Sequence, residues 1–147
     1  ADGLEEVECL ATADVLIRAG VKVKLVSITG KKEVKGAHGF GIHADALLHE
    51  VDPMKADLLF LPGGMPGTKN LMACKPLCDA LVQSDAAGKR LAAICAAPSI
   101  SICILCVGVA FYVRRNNGHI IADGCGRCDG RQYHNGAWTW ICAGSGN

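Results

Sequence analysis

A single cysteine, Cys95, stands where the short apolar run of KRLAAICAAPSI gives way to a turn. Residues 91–94 predict a β-strand, and we expect Ala96 and Ala97 to open the next helix, with Pro98 tolerated in its first turn. A thiol at that corner would lie at a helix N-terminus, where unpaired backbone N–H groups and the helix dipole favour the thiolate. Cys95 is therefore a candidate nucleophile. The alternative is a buried cysteine that packs as a small apolar residue.

The segments that precede this cysteine alternate between helical and extended patterns. Residues 5–19 carry apolar side chains at helical spacing, and Gly20 provides the C-terminal stop. Residues 21–28 alternate and then become apolar, which predicts a strand. Residues 39–51 indicate a short extended segment followed by a loop or a helical turn.

A second glycine-rich corner follows another apolar run. Residues 56–64 end in Pro-Gly-Gly, a pattern typical of a parallel strand buried on both faces. Residues 67–89 predict one or two helices, broken near Pro76. The order of elements predicts an α/β sandwich with a mostly parallel sheet. Functional groups in such sheets collect at the carboxyl ends of the strands, where the glycine pair and Cys95 both lie.

Composition limits the class of protein. The chain has 147 residues, half of them apolar and a fifth charged, and its formal net charge is +1. This size suits one domain, and the balanced charge gives no electrostatic case for a nucleic-acid or membrane partner. The longest apolar stretch, residues 100–113, is too short to cross a bilayer. Because no export signal is visible, we expect a cytoplasmic location.

The nine cysteines form no regular framework. Their odd number and uneven spacing argue against a secreted disulfide scaffold. Four of them have the spacing of a zinc ribbon, namely Cys103, Cys106, Cys125 and Cys128. The first pair lies inside an apolar run, whereas such ligands usually lie on polar, glycine-rich turns. We therefore expect no metal site, and a zinc-binding module remains the disfavoured alternative.

Four stretches together resemble one known family. ADGLEEVE, RAG, LPGGMPGTKNL and AAICAAPS are similar to motifs of the DJ-1/PfpI superfamily, also called ThiJ/PfpI, and most of all to its bacterial DJ-1-like branch. The resemblance runs nearly continuously through residues 1–99, which we therefore take as the family-like domain. It implies a flavodoxin-like α/β sandwich.

The resemblance also implies roles for four residues. Cys95 matches the family nucleophile and Glu8 the glutamate that contacts it, while Gly64 and Ala96 match positions whose backbone N–H groups form a pocket like an oxyanion hole. An ionised carboxylate repels a thiolate, so Glu8 can help only when it is protonated and donates a hydrogen bond to the sulfur. The two groups would then titrate as a coupled pair. Glycine allows the backbone to approach a ligand closely.

The sequence departs from the family at both ends. The family has a strand before the equivalent of ADGLEEVE, so we expect this chain to lack its first strand. Residues 100–147 replace the regular C-terminal part with a tail rich in cysteine and glycine. Read in another frame, the codons of residues 129–147 permit TDGNIITGPGPGFALALV, which is similar to the family's own C-terminal segment. Our hypothesis is a frameshift after Ser99.

Family resemblance implies a cofactor-independent enzyme of the glyoxalase or deglycase type. Its substrates would be small reactive carbonyl compounds, the α-oxoaldehydes and their adducts. A redox-sensing or chaperone-type stress protein with an oxidisable cysteine is the alternative. A peptidase of the PfpI type is disfavoured, because Ala96 replaces the histidine that follows the cysteine in that branch. The resemblance further implies a homodimer, with no nucleic-acid or membrane partner.

Overall fold

The computed structural model describes residues 1–100 and the backbone of residues 131–134 and 137–140. In these ranges the helices are α1 (Glu6–Arg18), α2 (Gly67–Ala73) and α3 (Lys75–Ala86). The strands are β1 (Val26–Ser27), β2 (Glu33–Lys35), β3 (Gly41–His43), β4 (Ala46–Leu47), β5 (Leu58–Leu61), β6 (Arg90–Ala93), β7 (Arg131–His134) and β8 (Ala137–Trp140). Two 3-10 turns, Leu48–Glu50 and Pro53–Lys55, lie between β4 and β5.

The strands pair two by two. β1 pairs with β4 and β5 with β6 in parallel, whereas β2 pairs with β3 and β7 with β8 in antiparallel fashion. In the β5–β6 pair, Leu58 lies opposite Arg90 and Leu61 opposite Ala93. Helices α2 and α3 form the crossover that this parallel pair requires. The alternation of helices with parallel strand pairs is the predicted α/β architecture.

Helix α1 confirms the helix predicted over residues 5–19. Its N-cap is Glu5, whose carboxylate accepts a hydrogen bond from the backbone N–H of Glu8 at 2.7 Å. Its end is set by Gly20, which adopts a φ of +81° and donates its N–H to the Ile17 carbonyl at 2.9 Å. Helix α1 therefore presents the carboxyl-bearing first turn in a fixed orientation.

The main core lies between α3 and the β5–β6 pair. Its buried members are Ala1, Leu61, Leu71, Leu77, Leu81, Leu91, Ala93, Ala97 and Ile100. Leu81 is 2% exposed and Ile100 is fully buried. The predicted helix break is confirmed at Cys74, between α2 and α3, so that both helices cover this core.

Two predicted strands are longer in the sequence pattern than in the structure. Residues 21–25 lie outside any strand, because the β1–β4 ladder begins only at Val26. Leu25 instead donates its N–H to the Asp45 carboxylate at 2.7 Å and accepts from the Asp45 N–H at 2.9 Å. In β5 only Leu61 is buried and residues 58–60 are half-buried. Within the described residues, the prediction of burial on both faces is therefore wrong for residues 58–60.

Several predictions concern the tail. Strands β7 and β8 are its only described parts beyond Ile100, and the zinc-ribbon cysteines lie outside the described residues. The division into a domain of residues 1–99 and a tail, and the frameshift after Ser99, stay predictions. None of the described helices has the length and apolar character needed to span a bilayer.

Candidate active site

Cys95 lies two residues after the end of β6 and adopts an unusual backbone conformation. Its φ is +59°, and within the described residues no other non-glycine residue has a positive φ. The side chain is exposed. Residues 95–97 form a turn and helical conformation begins at Pro98, so the prediction that Ala96 and Ala97 open the helix is wrong. Proline suits the first helical position because its missing N–H would have no helical partner there.

Glu8 reaches this corner from α1. The side chain is half-buried, and its Oε2 atom accepts a hydrogen bond from the Gly63 backbone N–H at 2.9 Å. Gly63 in turn accepts at its carbonyl from the Glu5 N–H at 3.0 Å. The N–H and the carbonyl of Gly63, which follows β5, therefore both bind the first turn of α1.

Gly63 lies between the Glu8 carboxyl group and Cys95. A Cβ atom at Gly63 would lie 2.7 Å from Glu8 Oε2, 2.8 Å from Cys95 Cβ and 2.9 Å from the Ile94 carbonyl oxygen. The Glu8 oxygen and the Cys95 Cβ thus approach the same point from two sides. The structure brings together the predicted pair, and glycine leaves the space that this approach needs.

Gly64 occupies the next position with a φ of +92°. A Cβ atom there would lie 2.7 Å from the Leu4 carbonyl carbon and 2.9 Å from the Gly3 carbonyl oxygen, so the loop packs directly on the N-terminal backbone. Within residues 1–100, no backbone hydrogen bond uses the N–H of Gly64 or of Ala96. Both predicted oxyanion donors therefore keep their N–H groups available within this part of the chain.

Two contributors were not identified from the sequence. The sequence assigns Gly63 no individual role beyond its place in the glycine pair at a strand end, and it assigns none to Glu5, although both hold Glu8 in place. The signal for Gly63 was its position directly after the apolar run, where a parallel strand presents its carboxyl end. The signal for Glu5 was its spacing three residues before Glu8, which suits an N-cap carboxylate.

The other described thiols differ from Cys95 in exposure. Cys9, Cys74 and Cys78 are half-buried, and burial raises the pKa of the Cys9 and Cys78 thiols. A raised pKa lowers the thiolate fraction at neutral pH and so lowers reactivity. We therefore expect thiol reagents to react selectively with Cys95, because its side chain is more exposed than those of the other described cysteines.

A cluster of two glutamates and a histidine lies at the start of α1. Ligand-type atoms of Glu5, Glu6 and His38 all lie within 4.8 Å of one another. Glu6 is buried and accepts at 2.8 Å from the His38 N–H and pairs at 2.8 Å with His38 Nδ1, while Glu5 caps the helix. These bonds give the cluster a structural role, tying a loop to α1.

The geometry defines the class of protein. It is an α/β protein with an exposed cysteine on a strand-to-helix turn and a carboxyl group held beside it from a separate helix. The model of the DJ-1/PfpI family matches residues 1–104, and the chain belongs to this family.

Known proteins agree with this assignment. Protein DJ-1 homolog B of Arabidopsis thaliana is 39% identical over 101 residues, which are 69% of this chain and 23% of that protein. The glutathione-independent glyoxalase DJR-1.2 of Caenorhabditis elegans is 35% identical over 96 residues, 65% of this chain and 50% of the relative. The solved structure of oxidized Toxoplasma gondii DJ-1 matches with a TM-score of 0.66 and 34% identity, covering 69% of this chain and 55% of that one.

These matches establish the flavodoxin-like α/β fold predicted from the sequence motifs. They also show that the chain spans about half the length, or less, of the relatives named above. The matches support a DJ-1-like function in general. One of the relatives is named a glutathione-independent glyoxalase.

Proposed function

We propose that the chain acts on reactive α-oxoaldehydes or their early adducts through Cys95, in the manner of a glyoxalase or deglycase. The observation that carries the proposal is the convergence of the Glu8 carboxyl oxygen and Cys95 on Gly63. The 35% identity to a glutathione-independent glyoxalase supports the substrate class. Neither group needs a cofactor for the first chemical step.

That first step is an addition. The Cys95 thiolate attacks the aldehyde carbon, a C–S bond forms, and the carbonyl π electrons move to oxygen to give a hemithioacetal anion. The N–H groups of Gly64 and Ala96 would bind this developing oxyanion, and protonated Glu8 would supply the proton that neutralises it. Glu8 then leaves the step as a carboxylate, so charge and protons balance.

The test is consumption of methylglyoxal by the full chain without glutathione. Cys95→Ser is expected to reduce the rate to background, because the hydroxyl is a far weaker nucleophile than the thiolate. Cys78→Ser is the matched control, since that thiol lies in α3 and bonds the Met72 carbonyl at 3.3 Å. A Cys95→Ser variant with full activity would refute the proposal.

A redox-sensing or chaperone-type function is the second candidate, favoured by the exposure of Cys95 against the half-burial of the other described thiols. An accessible, ionisable thiol is oxidised to sulfenic and then sulfinic acid. A solved relative is itself an oxidized DJ-1.

Peptide-level mass spectrometry after mild peroxide treatment tests the redox candidate. We expect modification to concentrate on Cys95, while Cys9 and Cys78, whose pKa values are raised by burial, react later. Uniform oxidation of all nine cysteines would count against selective sensing at this site.

A homodimer and a cytoplasmic location complete the proposal. Helix α1 supports the first, because Val7, Val15 and Ile17 are 69%, 63% and 58% exposed, which leaves apolar surface for a second copy. The free thiols among the described residues accord with a reducing compartment. Light scattering that returns only the monomer mass, or fractionation that places the protein outside the cytosol, would reject the respective part.

A further inference from the structure

Two cysteines lie at the corner between α2 and α3. Cys74 ends α2 and is the N-cap residue of α3, and its side chain makes no capping hydrogen bond. Cys78 lies one turn into α3, where its backbone N–H donates to the Cys74 carbonyl at 3.0 Å. Four residues of an α-helix advance the chain by about 6 Å. This separation lies within the Cα range of about 4.4–6.8 Å that disulfides span.

The sulfur of Cys78 points back toward this corner. Side chains of a helix tilt toward its N-terminus. Cys78 Sγ accordingly lies 3.3 Å from the Met72 carbonyl oxygen and 4.0 Å from that of Leu71, both in α2. The Cys74 side chain lines an open cavity at the surface. Cys74 is therefore the thiol that a solute reaches first, and Cys78 is the second thiol of the pair.

The two thiols also influence each other electrostatically. Burial is the main cause that raises the pKa of the Cys78 thiol, and the charge of Cys74 raises it further. When Cys74 is part of a mixed disulfide it carries no charge, so its contribution to the pKa of Cys78 disappears. Attack at Cys74 therefore increases the thiolate fraction of Cys78 for the step that follows.

We propose that Cys74 and Cys78 form a dithiol site that exchanges with low-molecular-weight disulfides, such as oxidized glutathione, and closes to a reversible internal disulfide. The Cys74 thiolate attacks one sulfur of the glutathione disulfide, whose S–S bond breaks, and one glutathione thiolate leaves. The Cys78 thiolate then attacks Cys74 Sγ, and the second glutathione thiolate leaves. Two protein thiols are oxidised, one disulfide is reduced, and the protons of the protein thiols pass to the departing glutathione.

The internal disulfide should be easy to reduce. Cβ atoms one turn apart on a helix lie about 5–6 Å from each other, whereas those of a disulfide lie about 3.5–4.5 Å apart. Closure must therefore tighten the first turn of α3 and draw Cys78 Sγ away from the Met72 carbonyl. Strained disulfides are the labile and regulatory ones. The inference concerns the α2–α3 corner and does not depend on the proposed function of Cys95.

Tryptic digestion isolates this pair of cysteines. Trypsin does not cleave before proline, so the bond before Pro76 survives and residues 70–89 form one peptide whose only cysteines are Cys74 and Cys78. The full chain, incubated with oxidized glutathione and then with iodoacetamide, should give this peptide unalkylated and lighter by two hydrogen atoms. Reduced glutathione should restore the doubly alkylated peptide. A peptide that stays doubly alkylated, or that only keeps bound glutathione, would overturn the proposal.

Single serine variants test the order of attack. Cys78→Ser should stop at glutathione bound to Cys74, because the second thiol is missing. Cys74→Ser should leave Cys78 with less bound glutathione, since burial raises the pKa of that thiol and lowers its reactivity. More glutathione on Cys78 than on Cys74 in this pair of variants would refute the proposed exchange.

A variant with a shifted partner is the matched control. When Cys78→Ser is combined with Val82→Cys, at a position that is 43% exposed, the peptide again holds two cysteines. Eight residues of helix now set their Cα atoms about 12 Å apart, beyond the limit of about 7 Å for a disulfide. Glutathione should stay bound and no internal disulfide should form. Closure in this variant would show that the one-turn spacing is not the cause.

Cys95→Ser separates this site from the one proposed for α-oxoaldehydes. The peptide of residues 70–89 should close at the wild-type rate in this variant, because oxidized glutathione reaches Cys74 directly. Loss of closure would mean that Cys95 relays the oxidation, and would overturn direct exchange at Cys74. A wild-type chain that closes the disulfide but does not consume methylglyoxal would reject the proposed function and leave this inference standing.

Discussion

The backbone of Cys95 is held in a conformation that side chains disfavour. A φ of +59° brings the Cβ atom of an L-residue close to its own carbonyl group, at a cost of about 1–2 kcal/mol. Such strain persists where surrounding structure imposes it and is common at reactive sites. Here the turn leaves the Cys95 side chain exposed and brings its Cβ atom to 2.8 Å from the position that a Cβ at Gly63 would take.

Relief of this strain is a measurable prediction. Cys95→Gly is expected to be more stable than Cys95→Ala by about 1 kcal/mol, because only glycine adopts a positive φ without penalty. Urea unfolding of both variants measures the difference. At Cys78, inside α3, the same pair should show the opposite sign by about 1 kcal/mol, since glycine weakens a helix interior. Equal stabilities at position 95 would contradict the strain.

Only part of the site follows from local sequence. The chain pattern places a cysteine and a glycine pair at strand ends, and the family motif pairs Cys95 with Glu8. The bond from Gly63 to Glu8 joins residues 55 positions apart, and no local pattern encodes it. The positive φ of Cys95 could not be predicted from the sequence either, because residues other than glycine rarely have a positive φ.

At the scale of elements, an ion pair between buried Glu6 and exposed His38 ties the loop of the β2–β3 hairpin to α1. Glu6 is 6% exposed and binds both the N–H and the Nδ1 atom of His38. The bond and charge of Glu6 raise the pKa of His38. Burial acts to raise the pKa of Glu6, but the bonds from His38 and from its own backbone outweigh it, so this pKa lies below its usual value.

The pair should make stability depend on pH. The raised pKa of His38 contributes stability that is fully present below about pH 6.5 and is lost as pH rises through the folded-state pKa. The lowered pKa of Glu6 contributes stability that is present above about pH 4.5 and is lost as pH falls through the folded-state pKa. His38→Ala should therefore lower the Tm most between these values, with the difference shrinking as pH rises through the raised pKa of His38 and as pH falls through the lowered pKa of Glu6. His49→Ala, at an exposed histidine in a 3-10 turn, is the control. A pH-independent Tm difference for His38→Ala would exclude the pair.

Element prediction succeeded where signals were local and failed where they depended on partners. The stop at Gly20 and the break near Pro76 located the helices. Strand length was overestimated over residues 21–28, because a β-ladder extends only where a neighbouring strand runs alongside. The short strand β2 was not predicted, since three residues with charged ends carry little alternation.

At the scale of the whole molecule, the core between α3 and the β5–β6 pair anchors the site. It includes Leu61 and Ala93, which end β5 and β6 just before Gly63 and Cys95. Loosening of this core should therefore reach the site as well as the stability. The overall α/β order was predictable because the core depends on apolar periodicity, which the sequence carries in full.

A core truncation tests the assignment of this core. Leu81→Ala is expected to lower the free energy of unfolding by about 2–5 kcal/mol, because it leaves a cavity around a side chain that is 2% exposed. Val82→Ala, on the 43% exposed face of the same helix, should change it by about 0.5 kcal/mol or less. Denaturant unfolding compares the two, and similar values would contradict the assignment of the core.

The seam between the N-terminal turn and the loop after β5 has a consequence for engineering. At Gly3, Gly64 and Gly67 the two backbones touch with no room for a Cβ, and the Gly67 N–H donates to the Gly3 carbonyl at 2.9 Å. Neither segment can be redesigned alone, because the backbone of each packs directly against the backbone of the other. Transfer of the reactive thiol to another scaffold therefore requires transfer of both segments, the N-terminal turn and the loop after β5.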